Sequence, residues 1–141
     1  GDDPRRSLTL VDTNIIVDIL ANNPVWMRWA AERLQERSRL GALIINDLIF
    51  AEISIGFDTE ATLIEKLGPF GLVSERIPVS ALFLAGKVYR RYRATGGLRT
   101  NVLLDFFIGA HAQVARLPLL TRDTRRYQTY FPEVTLIAPG T

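Results

Sequence analysis

Short apolar runs alternate along this chain with longer segments in which apolar residues recur at helical spacing. The runs at 8–11, 42–45 and 118–120 have the length and composition of buried strands. A further strand is expected at 135–137, and a weaker one at 76–79, where Pro78 has no backbone N–H to donate. Strands separated by helices in this way predict βαβ units, and hence a parallel sheet covered on both faces.

Helices are predicted in the segments between these runs. In the clearest one, Trp26, Ala30 and Leu34 share an apolar face, and Gly41 follows as an end signal. Ser80 is the expected N-cap of the longest helix. The predicted helices span 13–21, 25–39, 47–57, 58–67, 80–94, 101–115 and 125–131. The fold class is therefore α/β in three layers, with one domain expected over 1–141 and 1–7 as a flexible extension.

The composition removes several classes of protein. The 141 residues include no Cys, which excludes disulfide frameworks and every thiolate metal or redox site. No apolar run approaches the roughly 20 residues that a membrane helix needs, and the polar N-terminus is unlike a signal peptide. We therefore expect a cytoplasmic protein without membrane contact.

Charge is nearly balanced in total but unevenly distributed. The chain has 17 basic and 15 acidic residues, a formal net charge of +2, and every basic residue except Lys66 and Lys87 is Arg. The planar guanidinium of Arg suits phosphate groups, and many of the Arg residues cluster in the second half of the chain. Phosphate contacts are expected from four of them, Arg99, Arg122, Arg125 and Arg126.

Two acidic residues follow predicted strands. Asp12 comes directly after the first strand, and Asp123 comes three residues after the strand that ends at Leu120. Ligands of open parallel sheets bind outside the carboxyl ends of the strands, so these two side chains can converge there. Turn or N-cap roles for each Asp are the alternative.

Two further acids lie on predicted helices. Glu52 and Asp105 share their helix faces mainly with apolar residues, and no Lys or Arg lies three or four positions away from either. A buried carboxylate is costly unless a cation pairs with it. Four oxygen-donor acids favour Mg²⁺ or Mn²⁺, whereas a chain with one His and no Cys is a poor zinc binder.

Other polar residues near these acids have simpler explanations. Asp47 is expected at a helix start and Asp18 on a solvated helix face. His111 lies six residues after Asp105, about 240° around the helix, so it is expected to face away and to be structural.

Four segments together resemble the successive motifs of PIN-domain ribonucleases, and among these the VapC-type toxins of toxin–antitoxin pairs. The segments are 11–14 (VDTN), 51–53 (AEI), 105–112 (DFFIGAHA) and 120–123 (LTRD), and the resemblance extends from about 8 to 139. It implies a Rossmann-like three-layer fold, endoribonuclease activity that depends on one or two Mg²⁺ or Mn²⁺ ions, a VapB-like antitoxin partner and a homodimer.

The resemblance also assigns roles by position. Asp12, Glu52, Asp105 and Asp123 correspond to the catalytic, metal-binding acids. The supporting polar positions of the family correspond to Thr13, Asn14 and Thr121.

Two alternatives remain at this point. A phosphatase of the haloacid dehalogenase type also has an Asp after its first strand, but it needs a second Asp where this chain has Asn14. A catalytically inert module that binds nucleic acid or protein would be expected to lack at least one of the acids, and all four are present.

Overall fold

The computed structural model describes residues 3–97 and 102–141. The strands are β1 (Thr9–Val11), β2 (Leu43–Ile45), β3 (Val73–Ser74), β4 (Leu119–Leu120) and β5 (Leu136–Ile137). The helices are α1 (Thr13–Leu20), α2 (Met27–Ser38), α3 (Asp47–Ser54), α4 (Glu60–Leu67), α5 (Val79–Ala94), α6 (Val102–Ala115) and α7 (Arg125–Tyr130), with 3₁₀ turns at Pro4–Ser7 and Gly68–Phe70. Within these ranges, no helix combines the length and apolar character needed to cross a membrane.

The five strands form one parallel sheet in the order β3-β2-β1-β4-β5. Leu10 of β1 pairs with Ile44 on one side and with Leu119 on the other. Every residue of β1, β2 and β4 is buried, as expected for parallel strands covered by helices on both faces. The predicted α/β class with a short parallel sheet is confirmed.

The strand order creates a crevice at the carboxyl edge of the sheet. From β1 the chain moves to β2 and β3 on one side, and it later returns to β4 and β5 on the other. The direction of winding therefore reverses between β1 and β4, and open α/β sheets bind their ligands at such a reversal.

Helix α6 is the centre of the helical packing, where it contacts α3, α5 and α7. The ring of Phe106, on α6, packs against four other aromatic rings, with centroid distances of 5.1–6.2 Å. These rings belong to Tyr89 and Tyr92 of α5, Tyr130 of α7, and Phe131, the residue after α7. The ring of Phe131 also rests directly on Gly109, so closely that a Cβ there would overlap it. Gly109 thus allows α7 and the residue that follows it to approach α6.

Several predicted boundaries differ from the structure. The third strand is Val73–Ser74 rather than 76–79, because Pro78 instead precedes the first residue of α5. Ser80 consequently lies inside α5 and is not its N-cap. Helix α3 ends at Ser54 rather than at 57. Gly41 lies beyond the end of α2, where a Cβ would overlap the backbone of Ser7.

Residues 1–7 were expected to form a flexible extension, but residues 3–7 form an ordered turn that contacts the rest of the chain. Asp3 accepts a hydrogen bond from the backbone N–H of Arg5 and begins the first 3₁₀ turn. The Arg5 guanidinium then donates to both carboxylate oxygens of Glu75, at 2.8 and 3.0 Å, and to the carbonyl of Ala115. These contacts hold the segment against the rest of the chain, which is why it has a defined structure.

Candidate active site

The four predicted acids line one cleft at the carboxyl edge of the sheet, beside the reversal between β1 and β4. The cleft has a volume of about 300 Å³. Its lining residues are Asp12, Thr13, Asn14, Val17, Asp18, Glu52, Asp105, Arg122 and Asp123. Motifs more than a hundred residues apart in sequence therefore meet at the position expected for a ligand.

Asp12 is the most buried of the four acids, with 4% of its surface exposed. It is the N-cap of α1, where one carboxylate oxygen accepts the backbone N–H of Thr13 at 2.7 Å. The other oxygen accepts the hydroxyls of Thr121 at 2.8 Å and Tyr127 at 3.0 Å. Burial raises the pKa of Asp12 to about 6, with the charge of Asp105 adding to the rise and these hydrogen bonds opposing it.

Thr121 connects the loop after β4 to the start of α1. Its hydroxyl donates to Asp12 and accepts the backbone N–H of Asp123 at 3.1 Å and the side-chain amide of Asn14 at 3.2 Å. The Asn14 carbonyl oxygen in turn accepts the backbone N–H of Arg122 at 3.3 Å. The sequence grouped Thr121 and Asn14 with the acids, and the structure places both of them in contact with Asp12.

Glu52 is held at the cleft wall by Thr13, whose hydroxyl donates to a Glu52 carboxylate oxygen at 2.7 Å. Helix α3 presents Glu52 there because Asn46 caps its first turn, accepting the backbone N–H of Ile49 at 2.9 Å. The expectation that Glu52 lies on an apolar, core-facing stripe is only half correct. Ile49 is buried, but Ile55 lies beyond the end of α3 and is 85% exposed.

Asp105 has a cationic partner that its own helix does not supply. The guanidinium of Arg126, on α7, donates a hydrogen bond to the Asp105 carboxylate. Burial raises the pKa of Asp105, and the negative charges of Asp123 and Glu52 act in the same direction, whereas Arg126 opposes them. The absence of a nearby cation in sequence therefore did not mean its absence in the fold.

The donor set suits a hard divalent cation, because it consists of carboxylates and hydroxyls without sulfur or imidazole. The carboxylates line the cleft without forming a preassembled cage: in the described ranges, no three His, Asp or Glu side chains are grouped closely enough to hold a metal ion. The residues therefore fit a divalent cation by the chemistry of their donor atoms.

The four arginines expected to contact phosphate have different environments. Arg122 lies at the cleft but donates two hydrogen bonds to Asp18, at 2.6 and 3.1 Å, and its guanidinium lies 5.8 Å from the centre of the Trp26 ring. Arg125 is exposed at the start of α7, and Arg126 is paired with Asp105. Arg99 lies outside the described residues.

Asp18 is not the solvated side chain that the sequence suggested. It is only 3% exposed, and its carboxylate is neutralised by Arg122. The pair closes one side of the cleft. The residues near Asp18 in sequence do not predict this pair, since Arg122 follows the distant strand β4.

His111 is structural, as predicted from its position on α6. It is fully buried, with Nδ1 3.0 Å from the side-chain amide of Asn46 and Nε2 3.2 Å from Glu75. Because the Asn46 oxygen already accepts from Ile49, its NH₂ group donates to Nδ1, so the proton of a neutral ring lies on Nε2 and points to Glu75. Burial lowers the pKa of His111 despite the nearby Glu75 carboxylate.

Tyr127 is the residue of the site that sequence reasoning missed. Its hydroxyl contacts Asp12 and its ring is 1% exposed. Burial first, and then the charge of Asp12, raises the pKa of this hydroxyl well above its ordinary value, so it remains a hydrogen-bond donor. In a single sequence, nothing distinguishes it from an ordinary core aromatic on a short helix.

The overall architecture is shared with several solved toxin–antitoxin complexes. A chain of the VapBC2 complex of Rickettsia felis, bound to a DNA fragment from its promoter, superposes with a TM-score of 0.73 at 19% identity, covering 93% of this chain and 98% of that one. VapBC-1 of nontypeable Haemophilus influenzae gives a TM-score of 0.69 at 18% identity, covering 93% and 97%. A toxin–antitoxin complex of Klebsiella pneumoniae gives 0.62 at 23%, covering 90% and 95%. At identities this low, the structural similarity establishes a common fold.

The sequence itself provides the family assignment. No curated protein matches the chain in sequence. The family model of the PIN domain matches residues 9–132. This range contains strands β1 to β4 and all four predicted acids. The chain therefore belongs to the PIN domain family.

Proposed function

We propose that this protein is a metal-dependent endoribonuclease and the toxin of a toxin–antitoxin pair. The observation that carries the proposal is the convergence of Asp12, Glu52, Asp105 and Asp123 on one cleft in a PIN domain. Such a cluster of carboxylates is suited to hard cations and to phosphodiester hydrolysis.

The four acids are the proposed ligands of one or two Mg²⁺ or Mn²⁺ ions. When bound, such a cation polarises the phosphate, lowers the pKa of water and stabilises the leaving oxygen. Thr121 and Tyr127 orient the Asp12 carboxylate through their hydroxyls, and Thr13 orients Glu52. Asn14 holds the Asp12 end of the cleft to the loop that carries Asp123.

Substrate binding is proposed to use the arginines beside the cleft. Arg125 and Arg126 lie on α7 next to the acids, and Arg99 is the fourth candidate in sequence. Arg122 retains one Nη group outside its two hydrogen bonds with Asp18, so it can offer phosphate a single donor group rather than the whole fork. Hydrolysis breaks the bond between phosphorus and the 3′ oxygen, leaving a 5′-phosphate and a 3′-hydroxyl.

The protein partners are proposed to be a VapB-like antitoxin and a second copy of this chain. The structural neighbours come from toxin–antitoxin complexes, which supports the first of these partners. On α5, Val79, Leu82 and Phe83 are 75%, 41% and 66% exposed. An apolar surface of this kind supports burial against another protein.

The alternatives from the sequence receive less support. Asn14, at the position where the phosphatase requires a second Asp, is engaged with Asp12 and with the backbone of Arg122. The PIN family match and the complete set of acids favour the nuclease over both the phosphatase and an inert binding module.

RNA-end sequencing after brief induction in cells tests the proposal. We expect new RNA ends that carry a 5′-phosphate on one product and a 3′-hydroxyl on the other, and that are absent when Asp12→Asn is induced to the same level. Co-expression of the protein encoded by the neighbouring gene should suppress them. If the same ends appear with Asp12→Asn, or if no new ends appear with the wild type, the proposal is wrong.

A further inference from the structure

Arg126 is distinguished by what its guanidinium binds. Within residues 3–97 and 102–141, it is the only Arg or Lys that forms an ion pair with any of the four cleft acids. The Asp12 carboxylate is held by neutral donors, and Glu52 accepts from the hydroxyl of Thr13. Arg122 also lines the cleft, but its ion pair is with Asp18. Arg126 is therefore the described cation that is paired directly with one of the four proposed metal ligands.

Asp105 is also electrostatically linked to the other acids of the cleft. The charges of Asp123 and Glu52 act on Asp105, and the charge of Asp105 acts on Asp12. A guanidinium and a divalent cation placed beside Asp105 would compete for the same carboxylate.

The Arg126 side chain is less tightly packed than the helix that carries it. Helix α7 is anchored by Tyr127, which is buried and bonded to Asp12, and by the ring packing of Tyr130 on Phe106. The Arg126 side chain, by contrast, is 32% exposed at the cleft. This exposure leaves room for the guanidinium to rotate towards solvent without a movement of the α7 backbone.

We propose that Arg126 is a built-in competitor of the metal: its guanidinium occupies the place beside Asp105 that a bound divalent cation would take. This inference rests on the proposed function, because it assumes that the acids bind a cation. The ion pair spares the fold an uncompensated carboxylate and lowers the affinity of the site for the cation. Cation binding then releases Arg126 at the cleft, next to the position proposed for the substrate phosphate.

Calorimetric titration with Mn²⁺ alone tests the competition without any RNA. Arg126→Gln is expected to bind Mn²⁺ about tenfold more tightly than the wild type, because a charge-assisted hydrogen bond of ordinary strength no longer has to be broken. Arg125→Gln is the matched control, since it removes the same charge from the neighbouring exposed position of α7. Its Mn²⁺ affinity is expected to stay within about twofold of the wild type, because surface charges at a distance are screened.

Thermal unfolding provides a second readout. Arg126→Gln should melt at a lower temperature than the wild type without metal, and saturating Mn²⁺ should raise its Tm by more than it raises that of the wild type. If Arg126→Gln binds Mn²⁺ no more tightly than Arg125→Gln does, the competition is refuted while the nuclease proposal stands. If neither the wild type nor Arg126→Gln binds Mn²⁺, the proposed metal site itself is wrong.

Discussion

At the scale of single residues, the site depends on how Asp12 is kept both buried and ionisable. Burial raises its pKa to about 6, which on its own disfavours the charged form that a cation needs. Hydrogen bonds from Thr121, Tyr127 and the backbone of Thr13 stabilise the carboxylate and limit the rise. The affinity for metal should therefore depend on pH, and it should decrease as the pH falls through about 6.

Tyr127→Phe tests the contribution of one of these hydrogen bonds. Loss of the hydroxyl removes a donor to the charged form, so the pKa of Asp12 should rise further, by about one unit for a hydrogen bond of about 1.4 kcal/mol. Calorimetry with Mn²⁺ between pH 5.5 and 8 should show the loss of affinity beginning at a correspondingly higher pH.

Tyr130→Phe is the control for this experiment. Tyr130 lies on the same helix but packs against Tyr92 and Phe106 instead of contacting Asp12. Its pH profile should match that of the wild type. Identical profiles for both Tyr variants would show that Tyr127 does not tune Asp12.

At the scale of secondary-structure elements, α6 connects the site to the core. Asp105 and Gly109, one turn apart, both face α7: Asp105 meets Arg126, and Gly109 meets the ring of Phe131 just beyond the helix. His111 contacts other elements, since it joins Asn46 at the start of α3 to Glu75 after β3. Through Asn46, the helix that carries Asp105 is coupled to the helix that carries Glu52.

Gly109→Ala should destabilise the protein by about 1–3 kcal/mol, although alanine is normally favoured in helices. The added methyl group would overlap the Phe131 ring, which is 1% exposed and has little room to move. Urea denaturation measures the change in the free energy of unfolding. Gly86→Ala on α5 is the control, because its would-be Cβ has no atom within 4 Å apart from its chain neighbours and the nearby backbone of its own helix, and it should leave stability equal or higher. A Gly109→Ala protein as stable as the wild type would contradict the described packing.

His111 gives the fold a pH dependence whose sign follows from its burial. Its pKa is lowered in the folded protein, so the unfolded chain takes up a proton near pH 6.5 while the folded protein does not. The stabilisation it provides is therefore complete above that pH and decreases as the pH falls below about 6.5.

Comparing the wild type with His111→Gln isolates this contribution, since the chain has one His. The variant should be less stable by about 1–3 kcal/mol at pH 7.5, because Asn46 and Glu75 lose a buried partner. Urea denaturation at pH 7.5, 6.5 and 5.5 should show the gap narrowing as the pH falls. A gap that widens towards low pH would mean that His111 is charged in the folded protein.

At the scale of the whole molecule, the sequence predicted the architecture better than it predicted which side chains pair with each other. Alternating apolar strands and helices were enough for the parallel sheet, and the positions of Asp12 and Asp123 after β1 and β4 placed them at the correct edge. The pairings of Arg126 with Asp105 and of Arg122 with Asp18 were not predictable, because each joins side chains that are distant in sequence. Local spacing reports which face a residue occupies, and only the folded chain shows what that face meets.

The whole molecule also explains its nearly neutral total charge. Five of the 15 acids line one cleft, among them Asp18 with its partner Arg122, so the rest of the protein carries an excess of positive charge from the 17 basic residues. This charge distribution suits the proposed nuclease, which would bind cations in the cleft and phosphate groups on the surface around it.

The most direct test of the central claim is the rate at which the purified protein cleaves RNA with saturating Mn²⁺. This rate is compared among the wild type, Asp12→Asn and Asp47→Asn. Asp47 is an exposed acid in the first turn of α3 and does not line the cleft, so its replacement controls for the loss of one negative charge. We expect Asp47→Asn to cleave as the wild type does, and a folded Asp12→Asn to be slower by about 100-fold or more, because several kcal/mol of cation catalysis is lost. Equal rates for the two variants, or undiminished cleavage by the wild type in EDTA, would contradict the account.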